Sequence, residues 1–199
     1  MLDPVEEGLV EIINRGHAFR EKEALMKRLD IISAAIVLIG TTLAIAGEEK
    51  VVFPAYQTHV LYDVLDQPDI KEIREAFINP QALKDIKPGQ PFPSGTVLSL
   101  PTFKALVNEK GELVRDPNGR LVRGPLDRIV VMEKRTGWGI EYPEDLRNGE
   151  WEYARFLPDG SRDPKADIKG CFVCHKPKSD QDFVFTWSQI IKALPLRWH

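Results

Sequence analysis

Two cysteines, three residues apart and followed at once by a histidine, constrain this chain more than any other feature: Cys171-Phe172-Val173-Cys174-His175. They are its only cysteines. The spacing C-x-x-C-H is that of a c-type haem attachment. Each thiol can add to one porphyrin vinyl group, and the two-residue gap matches the separation of the vinyls along one ring edge. The adjacent histidine can then turn under the ring and give a nitrogen to the iron. Two other chemistries use a cysteine pair. A dithiol redox pair would want a helix N-terminus after a strand, usually early in a domain; here the pair is late and a polar, lysine-containing loop leads into it. Zinc usually wants four ligands in paired clusters, and the four histidines, His17, His59, His175 and His199, supply no second pair.

The N-terminal quarter reads as an export signal rather than as part of the fold. Met26-Lys27-Arg28-Leu29 opens a basic segment, and residues 31–46 (IISAAIVLIGTTLAIA) carry no charge. Ala44-Ile45-Ala46 then offers small residues where a signal peptidase cuts. The run of 16 residues is short of the ~20 that span a bilayer. Cleavage after Ala46 is expected, with an uncleaved membrane anchor through 31–46 as the alternative. Residues 1–25 are charged and helix-prone, which suits either an over-extended start, with initiation at Met26, or a cytoplasmic tail. Export to the periplasm agrees with the motif, because bacteria attach c-type haem outside the cytoplasmic membrane. A net charge of −3 and the lack of a basic block argue against a nucleic-acid partner.

Residues 51–199 form the expected folded domain. Tyr56, Val60, Leu61, Val64 and Leu65 fit one face of a helix over 55–65. A second helix is expected through Ile70, Ile73, Ala76 and Phe77, with Asp69 and Glu72 at capping-box spacing and Asn79-Pro80 as its end. Gln81 to Ile86 adds a short helical turn. The periodicity then changes. Thr96 to Leu100 and Phe103 to Glu109 are strand-like around Pro101, which suggests an edge or a bulge. Leu121 and Val122 fit a short returning strand. Leu126 to Lys134 and Gly149 to Phe156 are the clearest later strands, and Ser188 to Leu196 is helical. The expected class is therefore α+β, with N-terminal helices packed on a mainly antiparallel β-sheet. A small electron-carrier cytochrome c is nearly all helical and has its motif at the start; this chain does neither.

Several segments, taken in order, resemble the cytochrome P460 family, which includes the beta-type cytochromes c′. They are Ile73 to Pro80, Pro93-Ser94-Gly95-Thr96-Val97-Leu98, Val131 to Arg135 with Gly137-Trp138, Cys171 to His175, and Asp182 to Thr186. The resemblance implies a mainly antiparallel β fold that often forms homodimers. It also implies one haem c with His175 as the iron ligand and an open opposite side. Known chemistries of the family are hydroxylamine oxidation and the binding of gases such as nitric oxide. One subgroup links a lysine to the porphyrin, and Lys104 best resembles that position; a strand-edge lysine facing water is the alternative.

The residues themselves nominate further roles. His59 and Met132 are the possible second axial ligands, although Met is more often core filling. Glu133 interrupts an apolar run and could take protons from a bound nitrogen compound. Strand alternation admits only one of Met132 and Glu133 to the pocket, and Glu133-Lys134-Arg135 also reads as a solvated strand end. Arg74 suits an anionic ligand or a haem propionate. Small nitrogen compounds and a soluble redox partner are the expected partners. Oxidation of hydroxylamine, gas binding without turnover and plain electron transfer are the candidate functions.

Overall fold

The computed structural model describes residues 50–194. The export segment, His17, His199 and the last residues of the closing helix lie outside them. Among the described residues no helix is long and apolar enough to cross a membrane.

Five antiparallel strands form one sheet in sequence order: β1 (Val60–Gln67), β2 (Glu72–Ile78), β3 (Val97–Ala105), β4 (Arg123–Lys134) and β5 (Trp151–Phe156). Among the described residues three α-helices accompany it: α1 (Pro80–Asp85), α2 (Ile168–His175) and α3 (Trp187–Ala193). The class is α+β, but the expected helices over 55–65 and 70–77 are strands β1 and β2. In β1 the apolar residues mimic a helical spacing because a bulge between Leu61 and Asp63 shifts the two-residue phase. Asp69 sits in the 3-10 turn Pro68–Ile70, and Lys71, left-handed at φ 52°, closes the hairpin.

Pro101 also departs from expectation. It lies in the central strand β3, fully buried, and pairs with Ile129 of β4. On its other side the β2 ladder skips from Arg74↔Thr102 to Phe77↔Ser99 without changing register. The missing proline N–H is thus met by a local lapse in pairing rather than by an edge. Between β3 and β4 an arm folds in two successive turns, in which Asn108 and Asp116 each accept from backbone N–H groups two and four residues on. Arg120 ties the arm to Asp66 of β1.

The two faces of the sheet carry different cores. Val60, Ile78, Leu98, Met132 and Tyr153 form one row across all five strands, and Phe172, Val184 and Ile190 from the C-terminal segment pack on the same core. Val131, Ile129, Ala154 and Phe156 point the other way, onto Val51 and Tyr56. A single deletion tests this arrangement. Ile78→Ala removes a wholly buried side chain from the middle of the row, and a loss of about 2–5 kcal/mol is expected in chemical denaturation. A loss below ~0.5 kcal/mol, the size typical of surface changes, would contradict it.

Candidate functional site

The Cys-x-x-Cys-His stretch ends in helix α2. Asp167 caps the helix by accepting from the Gly170 N–H at 2.8 Å. Gly170 is required there: a Cβ would come within 2.4 Å of the Asp167 carboxylate. Cys171, Cys174 and His175 stand at helix positions i, i+3 and i+4, so they share one face. Both thiols are free. Burial, with the charge of Asp167 second, raises the pKa of Cys171, while Cys174 is exposed. Phe172 points into the core, with its ring 4.8 Å from Tyr153 and 4.7 Å from Tyr142. The fully buried Asn148 fastens the helix by donating to the Phe172 carbonyl and bonding the Tyr153 hydroxyl, each at 3.0 Å.

His175 lies between two aromatic rings, Tyr153 and Phe185, each 4.9 Å away. Its Nδ1 is 2.7 Å from the Phe183 backbone carbonyl, which can only accept, so the proton belongs on Nδ1. Nε2 is left with its lone pair. Burial holds the pKa of the ring below the ordinary histidine value, with the Phe183 bond opposing it. The imidazole is therefore neutral at pH 7, the form that ligates a metal.

The sheet supplies the neighbouring surface. Next to the Met132 row, Leu100 and Val130 are half-buried on the same face, and half-buried Leu65 lies one row further, opposite Arg74. Beyond them stand Arg74, Thr102 and Arg128, which are register partners. At the end of the face Glu72 is buried and gathers the charges. It accepts from Arg128 at 2.9 Å through both oxygens and from Arg74 at 3.0 Å. Burial alone would raise its pKa, but the Arg128 and Arg74 guanidiniums together lower it to about 2. Lys104, the register partner of Glu72, lies 3.6 Å from its carboxylate and 3.4 Å from Asp127, with its side chain 53% exposed. It stands six residues along β3 from Leu98, about 20 Å at the usual strand rise.

Glu133 does not belong to this surface. Met132 takes the inward position, so Glu133 faces the opposite side of the sheet, paired with Val97 and Glu152 in register and bonded to Arg135 at 2.6 Å. Nor is Glu133-Lys134-Arg135 a solvated strand end, since Glu133 and Lys134 are both buried. His59 precedes β1, at the sheet edge opposite the β5 residue Tyr153 that touches His175. Met132 is core filling.

The family model described as cytochrome P460 matches residues 55–186, more than half of the chain. The chain belongs to the cytochrome P460 family. No curated protein matches it. The members are haem cytochromes, and the residues of this cytochrome fit such a group. An exposed and a half-buried thiol flank a neutral imidazole. An apolar ring is left uncovered beside it, with Phe185 48% exposed. The buried Arg74 Nε has no hydrogen-bond partner among the described residues, as a donor reserved for an anionic group would.

Sequence reasoning missed Phe183, Tyr153, Asn148, Glu72 and Arg128. Phe183 acts through its backbone and Glu72 through partners on other strands, so neither leaves a local pattern. Because the folded Glu72 pKa lies below its ordinary 4.5, the folded chain binds fewer protons there than the unfolded chain. Its stabilisation is fully present above pH 4.5 and is lost as pH falls to about 2. Glu72→Gln is expected to cost roughly 3 kcal/mol at pH 7, with the gap from wild type closing by pH 2 in denaturant titrations. A gap independent of pH would contradict the arginine-held carboxylate.

Proposed function

We propose that the chain is a periplasmic cytochrome with one haem c joined to Cys171 and Cys174 and held at the iron by His175 Nε2. The opposite side of the iron is open, and the reaction is oxidation of hydroxylamine or a related small nitrogen compound. The observation that carries this reading is the His175 ring, locked by Phe183 with Nε2 bare. Supporting an open opposite side, His59 precedes the edge strand β1 and Met132 is packed in the core. A bound haem supplies an iron that takes up electrons and binds a small ligand.

The chain's own residues do the rest. Leu65, Leu100 and Val130 offer an apolar shelf that excludes water from one ring face. Arg74, with its unpartnered Nε, holds an anionic group, either a propionate or a bound ligand. Lys104 is the residue that would form the link to the porphyrin. Electrons leave to a soluble redox partner, and the chain works as a homodimer.

A second reading, nitric oxide binding without turnover, is favoured by the carboxylates. Glu133 faces away, and Glu72 is held ionised by two arginines at a pKa of about 2, which makes it a weak proton acceptor. Hydroxylamine and an electron acceptor, added to the oxidised protein, separate the two. Acceptor reduction with release of nitrogen oxides supports turnover; a stable ligand spectrum with no acceptor reduced supports binding alone. An oxidised protein that is low-spin and ignores nitric oxide would sink both. Lys104 is tested separately. The haem peptide of the wild type is expected to carry Lys104 as a cross-linked residue by mass spectrometry, and Lys104→Ala to lose the red-shifted reduced Soret band while keeping the haem. An unmodified Lys104 in the wild type contradicts the link.

A further inference from the structure

Lys134 ends strand β4, where a lysine ordinarily reaches water. Here it is 6% exposed. Its Nζ lies 5.7 Å from the centre of the Trp151 ring, and its partner is Asp182 Oδ2 at 2.7 Å. The same oxygen accepts the Phe92 N–H at 2.8 Å. Asp182 is not on the sheet. It lies between the 3-10 turn Lys176–Gln181 and Phe183, in the segment that leaves the haem motif. Ion pair and hydrogen bond therefore tie β4 and the loop before β3 to the chain just after His175.

The backbone at that point is unusual. Asp182 has φ 49° and Phe183 has φ 63°, two consecutive left-handed residues with neither a glycine. Non-glycine residues are disfavoured in this conformation and hold it only with outside support. Phe183 N–H is taken up by the Lys178 carbonyl at 2.7 Å, and its ring packs over Gly149, where a Cβ would come within 3.3 Å. The product of this turn is the direction of one carbonyl. Phe183 O meets His175 Nδ1.

A buried ion pair is a weak source of stability, since desolvating both charges offsets most of their attraction. Its value here is geometric. We propose that Lys134 and Asp182 are positioning residues for the iron-ligating histidine. The pair clamps the left-handed turn, the turn aims the Phe183 carbonyl, and the carbonyl makes His175 a stronger donor through Nε2. This rests on His175 being the iron ligand.

The test uses the haem-loaded protein and four variants: Lys134→Met, Asp182→Asn, the two combined, and Lys134→Arg. The combined variant removes both charges at nearly constant volume, so no buried charge is stranded. The readouts are the iron–histidine stretching band of the reduced protein and the midpoint potential, with covalent haem content as control. Slackening the Phe183 bond weakens the donor, so the band moves to lower frequency and the potential rises in the two single variants and the combined one. Lys134→Arg, which keeps the cation, restores both towards wild type. A combined variant with full haem content, an unmoved band and an unmoved potential overturns the inference. A wild-type protein without an iron–histidine band overturns the ligand assignment instead, so the two failures are distinguishable.

Discussion

A histidine serves iron well only when its second nitrogen is given something definite to do. In this chain that task falls to one 2.7 Å hydrogen bond between His175 Nδ1 and the Phe183 carbonyl. The bond fixes the tautomer and turns Nε2 outward, while burial, against the pull of that bond, keeps the ring neutral. Other parts of the site serve the two ends of this bond. Asp167 and Asn148 hold helix α2, which carries the ring. The left-handed turn at Asp182 and Phe183 presents the carbonyl. Tyr153 and Phe185 close on the ring from either side.

The sheet meets this histidine with one of its faces. Row by row that face changes from packed core at Met132, to half-buried Leu100 and Val130, to the charged group around Glu72. Such a gradient suits a ligand that is apolar in its body and anionic at its rim. The opposite face is an ordinary core and keeps its own carboxylates, Glu133 and Glu152, away from the site. The physical division is the strand alternation itself, and it decides which acidic residues can take part in chemistry.

The parts of this arrangement that were legible in the sequence are those whose information is contiguous. The attachment motif needs five neighbouring residues, and β4 and β5 announce themselves by β-branched and aromatic runs. β1 and β2 do not. Their bulge and their helix-favouring Glu72, Arg74, Glu75 and Ala76 imitate a helical face, and only pairing with β3 overrides that local preference. Glu133 was legible as a dilemma, since alternation allowed it or Met132 inward; the core chose the methionine. Lys134 and Asp182 were not legible as partners. They are 48 residues apart, and each alone reads as a surface charge. Phe183 contributes a carbonyl, which every residue has, so its role appears only in three dimensions.

The central claim is that His175 faces the iron through Nε2 while Phe183 holds its Nδ1 proton. Proton magnetic resonance of the haem-loaded protein, with nitrogen-15 in its histidines, reads this directly. A single exchangeable imidazole proton is predicted for His175, bonded to Nδ1, shifted by the iron and slow to exchange with water. A proton that exchanges at once, or a His175 ring free of any shift from the iron, would contradict it.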